Sequence, residues 1–86
     1  MNILVPLSSI SKGQKAKVKI LLTEGAIKRR MQDIGITEDT EIELALESPL
    51  KDPKGYIIKG SLIAIRNSDA EKIIVSINET NKKEVI

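Results

Sequence analysis

Apolar and polar residues alternate most clearly in two segments of the chain, 15–22 and 40–48. In the first segment the apolar face is formed by Ala16, Val18, Ile20 and Leu22. In the second it is formed by Ile42, Leu44 and Leu46. A two-residue repeat is typical of a strand with one buried face. Lysines fill the outer face of the first strand and glutamates that of the second, so antiparallel pairing would set opposite charges against each other.

A short helix over about residues 25–34 is predicted between these two strands. An apolar stripe at helical spacing is formed by Ile27, Met31 and Ile34. Thr23 and Glu24 are candidates to cap the first free amide groups with their side chains. Gly35 suits the left-handed position after the last turn, with Ile36 folding back onto the helix.

The segment after residue 48 predicts a loop followed by a hairpin. Pro49 and Pro53 exclude a central strand, because proline cannot donate to a sheet ladder. The segments 56–59 and 62–66 read as strands on either side of Gly60-Ser61. A glycine in a two-residue connection favours a tight hairpin turn.

The last part of the chain predicts a helical turn and a fifth strand. Ser68 and Glu71 have the spacing of a capping box, which places a single turn at 69–72. The segment 72–77 alternates again, with an inward face formed by Ile73, Val75 and Ile77. The polar tail, 78–86, is expected to be frayed. The prediction is a mainly β domain, a small SH3-like barrel of about five strands with one short helix between the first two.

Composition excludes several classes of site. The 86 residues are expected to form a single domain, 1–86, with its core at about 7–77. Cysteine and histidine are absent, which excludes disulfides, thiolate metal sites and imidazole as a ligand or general base. Residues 1–7 are apolar but too short and uncharged for a signal peptide, and no apolar run reaches membrane-spanning length. A cytoplasmic location is predicted.

Catalytic and metal-binding chemistry find little support in the sequence. Glu41 and Glu43 share a strand face, but a solvated face explains them without a catalytic cleft. Oxygen ligands for a hard cation could come from Glu38, Asp39, Glu41 and Asp52. Asp39 also suits a turn with unusual backbone angles, and Asp52 suits an Asx-type bond within its own loop. We expect no enzyme activity, no cofactor and no dedicated metal site.

Two surfaces are candidates for contact with another macromolecule. The first is the exposed face of the helix, formed by Ala26, Lys28, Arg29 and Arg30. Arginine can bond a carboxylate or phosphate through two parallel hydrogen bonds, although a basic run is also commonly just a solvated face. The second is the proline loop, with Leu50 and Asp52. Leu50 is either an exposed anchor or tucked inward over one end of the barrel, and the inward position is preferred.

An ordered series of small and turn-forming residues runs from about Leu7 to about Ile77. Its members are Gly25, Ala26, Arg30, Met31 and Gly35 in the helix segment, Pro49, Leu50, Asp52 and Pro53 in the loop, and Gly60, Ala64, Ile65, Arg66 and Ala70 near the late strands. In this order the chain resembles the FeoA family. Lys51 departs from the glycine that the family often has there, and Thr37-Glu38-Asp39 departs from a Thr-Pro-Gly turn.

The resemblance implies an SH3-like barrel that acts in the cytosol with FeoB, a membrane transporter that carries a GTP-binding domain. It implies support of ferrous iron uptake through protein–protein contact, with the membrane reached only through this partner. An alternative is a regulatory barrel like those of metal-dependent repressors, but these accompany a DNA-binding domain for which 86 residues leave no room. A nucleic-acid-binding barrel is a third hypothesis. A net charge of +2 and a single aromatic residue, Tyr56, argue against it.

Overall fold

Six antiparallel strands form one sheet in the computed structural model, which describes residues 2–78. The elements are β1 (Asn2–Pro6), β2 (Lys15–Leu21), α1 (Gly25–Asp33), β3 (Glu41–Glu47), β4 (Lys54–Ile58), β5 (Ser61–Ile65), α2 (Asn67–Ala70) and β6 (Ile73–Asn78). A 3-10 turn, Leu7–Ser9, follows β1. The strand order is β1-β6-β2-β3-β4-β5, so β1 and β5 are the two edges.

The mainly β architecture and the helix between the first two predicted strands are confirmed. The structure has six strands where about five were expected, because residues 1–7 were considered only as a possible signal peptide and not as a strand. β1 pairs with β6 from Asn2 opposite Asn78 to Pro6 opposite Ile74. The predicted tail begins at Asn78, the last residue of β6, and its remainder lies outside the described residues.

The predicted pairing of the lysine and glutamate rows is confirmed. Lys15 lies opposite Glu43 and Lys17 opposite Glu41. The close ion pair of this region involves the next lysine along β2. Lys19 Nζ donates to Asp39 Oδ1 at 2.8 Å. That hydrogen bond lowers the pKa of Asp39 and raises the pKa of Lys19. Asp39 has φ +68°, as expected for a turn residue with unusual backbone angles.

Two β-bulges overturn part of the predicted inward face. The register shifts between Val18 and Ile20 in β2, and between Leu44 and Leu46 in β3. An extra residue reverses which side chains face the core beyond it. Three residues predicted to point inward are therefore about half exposed: Ile20 (47%), Leu22 (57%) and Leu46 (52%).

The core lies between the sheet, α1 and α2. Its largest fully buried side chains are Tyr56, Leu7, Ile36, Ile42, Leu44, Ile58, Ile73, Val18 and Val75. Strand β6 contributes as predicted, with Ile73 and Val75 fully buried and Ile77 partly buried. Of the predicted helical stripe only Met31 is buried, while Ile27 and Ile34 stay exposed. The buried hydrophobic core is therefore aliphatic apart from Met31 and the Tyr56 ring.

The C-terminal end of α1 follows the prediction, whereas its N-terminal end does not. Gly35 has φ +106°, and its N–H donates to Gln32 O at 3.0 Å. The N–H of Ile36 donates to Met31 O at 2.9 Å, which completes a Schellman motif. Glu24 occupies the N-cap without a side-chain bond. The hydroxyl of Thr23 donates to Met31 Sδ at 3.9 Å instead of capping the helix.

The predicted hairpin is present, but its turn is one residue earlier than expected. Lys59 and Gly60 form the connection with φ +52° and +83°, which is the pattern of a type I′ turn. The capping box was wrong. Helix α2 begins at Asn67 with Arg66 as its N-cap, and Arg66 makes no side-chain capping bond. The first amide of α2 is bonded from the proline loop, as described below.

Candidate partner-binding surface

The basic residues of α1 lie on its solvent side. All four predicted helix contacts are exposed, namely Ala26, Lys28, Arg29 and Arg30. None of the three cations makes an ion pair or a side-chain hydrogen bond within residues 2–78. The charges are thus available to another molecule, which is a property of the surface and does not by itself assign a function.

A groove of about 390 Å³ runs between α1 and the end of β5. It is lined by Ile27, Arg30, Met31, Ile34, Ile36, Ala64, Ile65, Arg66 and Asp69. We call it the α1–β5 groove. Ile27 and Ile34, the unburied part of the helical stripe, form its apolar wall and are 53% and 40% exposed. Of the six predicted contact residues only Arg30 lines this groove.

The α1–β5 groove has one excess positive charge. Arg30 enters from the helix, Arg66 lies just after β5, and Asp69 is the one acid among the lining residues. Neither arginine forms an ion pair within the described part of the chain. Neither Arg66 nor Ala64 was predicted to lie on a contact surface. One feature of the sequence points to this groove: the predicted helix is short, so part of its apolar stripe, Ile27 and Ile34, can stay exposed.

A second, apolar depression of about 400 Å³ lies on the outer face of β3, β4 and β5. Its centre is a cross-strand cluster that we call the leucine patch: Leu46, Gly55, Leu62 and Ala64. The bulge in β3 turns Leu46 outward, and Gly55 leaves room beside it. A Cβ on Gly55 would lie 3.3 Å from Leu46 Cβ and 3.2 Å from Leu62 Cδ1. The two leucines are 52% and 53% exposed.

The proline loop differs from its prediction in both named residues. Leu50 is 87% exposed, so the preferred inward position was wrong; the turn projects it from the sheet. The carboxylate of Asp52 caps α2 rather than its own loop, accepting from Asn67 N at 3.0 Å. The Asn67 side chain donates in return to Lys51 O at 2.8 Å. The loop is therefore fastened beside the end of β5, adjacent to Arg66.

The acidic residues considered as metal ligands are separated in the structure. Asp39 bonds Lys19, and Asp52 bonds the first amide of α2. Within residues 2–78 no group of three or more acidic side chains is placed to share a metal ion. In the same range no helix has the length and hydropathy needed to cross a bilayer.

The FeoA domain model matches residues 5–77. The chain belongs to the FeoA family. Among solved structures, FeoA from Chlorobium tepidum is 29% identical, with 93% of this chain and 76% of that chain covered and a TM-score of 0.83. A search of curated proteins gave no match.

Two more distant structures share the fold. FeoA from Stenotrophomonas maltophilia, solved with zinc and described as a prokaryotic SH3 domain protein, is 23% identical over 80% of this chain and 86% of that one, with TM-score 0.69. A manganese-dependent transcriptional repressor is 15% identical over 91% of this chain and 44% of that one, with TM-score 0.78. The SH3-like architecture predicted for this FeoA chain is confirmed.

Proposed function

We propose that this FeoA protein is a cytosolic, non-catalytic accessory of bacterial ferrous iron uptake that acts by binding the FeoB transporter. The observation that supports this role is the α1–β5 groove, which combines an exposed apolar wall with two arginines that have no partner among residues 2–78. A surface of this kind suits a protein partner with apolar and acidic groups. Membership in the FeoA family supports a role in ferrous iron uptake, and FeoB is the partner that this proposal names.

The absence of histidine and cysteine is consistent with a role through contact. A nucleophile activated by an adjacent imidazole, or a thiolate, is unavailable to this chain. In the proposal, iron is the cargo of the transporter and the accessory reaches the membrane only through FeoB. Ala26, Lys28, Arg29 and Arg30 on α1, and Leu50 and Asp52 in the loop, are the proposed contact residues.

The test is uptake of radiolabelled ferrous iron in a strain that lacks this gene and retains its FeoB gene. Loss of uptake that is restored by the wild-type chain, and not by the folded Arg30→Glu variant, supports the proposal. Normal uptake without the chain contradicts it. Parallel immunoblots of FeoB show whether the transporter is present in equal amount in each strain.

A second candidate is a regulatory barrel related to those of metal-dependent repressors. The observation that favours it is the fold shared with the manganese-dependent repressor. Transcript levels in the deletion strain distinguish the two roles. A changed set of transcripts under constant iron supply, with normal FeoB-dependent uptake, would favour the regulatory role.

A further inference from the structure

Strand β5 is an edge strand without the usual protection against pairing. Among the described residues, 2–78, it pairs only with β4, and Ser61–Ile65 contains no proline and no charged residue. Edge strands of native sheets are commonly blocked by such residues, because their free backbone groups can pair with another chain. The other edge, β1, ends in Pro6.

Two residues of β5 present their backbone polar groups to the free edge. The type I′ turn at Lys59-Gly60 closes with Ile58 opposite Ser61, and this pair exchanges both hydrogen bonds in a two-residue hairpin. Bonded and non-bonded pairs then alternate along the ladder. Leu62 and Ala64 fall on the non-bonded positions, so their N–H and C=O groups point away from β4. Within residues 2–78 nothing bonds to them.

Both faces of this free edge are recessed: the leucine patch is apolar, and the α1–β5 groove combines an apolar wall with charged side chains. The α1–β5 groove lies on one side of β5 and the leucine patch on the other, with Ala64 lining both. Successive side chains of an added strand would point alternately into these two depressions. Such an edge, bordered by a helix on one face, has the elements used for recognition by strand addition.

From this juxtaposition we propose that an extended segment of the partner adds to the free edge of β5 as a seventh strand. The inference rests on the function proposed above and specifies how the partner binds. The segment carries alternating apolar side chains for the α1–β5 groove and the leucine patch. It also carries a carboxylate that bonds Arg30 and Arg66 at the open end of the groove.

Charge favours a partner segment over a second copy of this chain. Two copies pairing through β5 would bring Ser61–Arg66 of each alongside the other, and this segment contains no aspartate or glutamate. Arg30 and Arg66 would then meet no carboxylate from the β5 strand of the other copy. An acidic extended segment supplies the apolar contacts and also neutralises the groove.

The matched pair of variants is Ala64→Pro and Ala64→Val. Proline removes an N–H that is not used in pairing with β4, so the β4–β5 hairpin keeps its bonds, as proline does on natural edge strands. Valine enlarges the same exposed side chain and keeps the N–H. We expect Ala64→Pro to weaken binding to detergent-solubilised FeoB at least tenfold more than Ala64→Val does, because only proline removes the N–H that an added strand would use. Equal effects of the two variants would show that only the side chain at this position matters and would overturn strand addition. Thermal unfolding of both variants verifies the fold.

Amide hydrogen exchange on the wild-type chain is the second measurement and does not depend on a variant folding. The amides of Leu62 and Ala64 should exchange rapidly in the free protein and at least tenfold more slowly with saturating FeoB. Binding with unchanged exchange at these two amides overturns the strand-addition proposal and leaves the proposed function standing. Slow exchange without FeoB, from self-pairing or from residues 79–86, overturns it too. An absence of any binding overturns both proposals.

Discussion

The carboxylate of Asp52 accepts a hydrogen bond from the backbone N–H of Asn67 at 3.0 Å, across 15 residues of sequence. This contact caps the first turn of α2 from a distant loop and holds the loop beside the end of β5. The return bond from the Asn67 side chain to Lys51 O closes the link. The segment after β3 and the segment after β5 are thus joined by two hydrogen bonds at Asn67.

Substitution of Asp52 should measure how much the hydrogen bond to Asn67 contributes to stability. Asp52→Ala leaves the first amide of α2 without its acceptor and is expected to lower the free energy of unfolding by about 1 kcal/mol, the usual loss for a helix cap. Asp52→Asn keeps an acceptor oxygen and should lose less than half of that. Urea unfolding followed by circular dichroism measures both, and equal losses would show that the hydrogen bond contributes little.

The buried hydroxyl of Tyr56 should lower the free energy of unfolding at alkaline pH. Its ring is fully buried and its hydroxyl has no hydrogen-bond partner in residues 2–78. Burial, together with the charge of Glu47, raises the pKa of Tyr56 from 10.0 to about 12. Above pH 10 the unfolded chain ionises this hydroxyl while the folded chain keeps its proton, so unfolding becomes more favourable as pH rises toward 12. The expected loss is roughly 1.4 kcal/mol per unit of pKa difference.

Tyr56→Phe is the control for this effect, since it removes the titrating group and keeps the ring. Near neutral pH it should be as stable as the wild type or more stable by about 1 kcal/mol, because it removes an unpaired buried hydroxyl. Between pH 9 and 11.5 the difference should grow in favour of phenylalanine. If the difference in unfolding free energy between the two proteins stays constant with pH, the hydroxyl ionises equally in the folded and unfolded states.

Gly35 tests the turn that ends α1. Its φ of +106° is strained for any L-residue, and an added Cβ would lie 3.2 Å from Lys59 Cδ and 3.4 Å from Ile58 Cγ2. Gly25 has φ +68° with nothing within 4 Å. Gly25→Ala should therefore cost about 1 kcal/mol from backbone strain alone, and Gly35→Ala roughly 2–3 kcal/mol. Thermal unfolding compares them, and equal costs would show that crowding at Gly35 is absorbed by Lys59.

The basic face of α1 should affect binding without affecting stability. Reversal of Lys28, Arg29 and Arg30 to glutamate should abolish binding to FeoB while the free energy of unfolding changes by less than about 1 kcal/mol, as expected for exposed charges. Arg30→Glu alone should account for most of this loss, since Arg30 is the member that lines the α1–β5 groove. Lys12→Glu, in an exposed turn, is the single-charge control. Equal effects of the two single variants would mean that net charge alone attracts the partner.

Alternation and turn chemistry predicted the strands from β2 to β6, the helix α1 and its glycine cap. These features depend on residues close in sequence. The two bulges were not predictable in the same way, because Val18–Ile20 and Leu44–Leu46 keep regular alternation in sequence and lose it only against their partner strands. The outward position of Leu46, and with it the leucine patch, follows from that tertiary pairing.

The candidate site was predicted only in its charged part. A run of basic residues is visible in sequence, so the exposure of Arg30 could be expected. The approach of Arg66 and Ala64 to α1 depends on how the sheet bends β5 toward the helix. The capping of α2 by Asp52 similarly depends on a contact between loops, and a local capping box at Ser68 competed with it as an interpretation.

The most direct test of an accessory that acts by contact is the affinity of the purified chain for FeoB reconstituted in lipid nanodiscs, measured by biolayer interferometry. We expect saturable binding that Arg30→Glu weakens by at least a factor of about 10, or ~1.4 kcal/mol, and that Lys12→Glu leaves nearly unchanged. An absence of saturable binding, with a FeoB preparation that binds guanine nucleotide normally, would contradict the account.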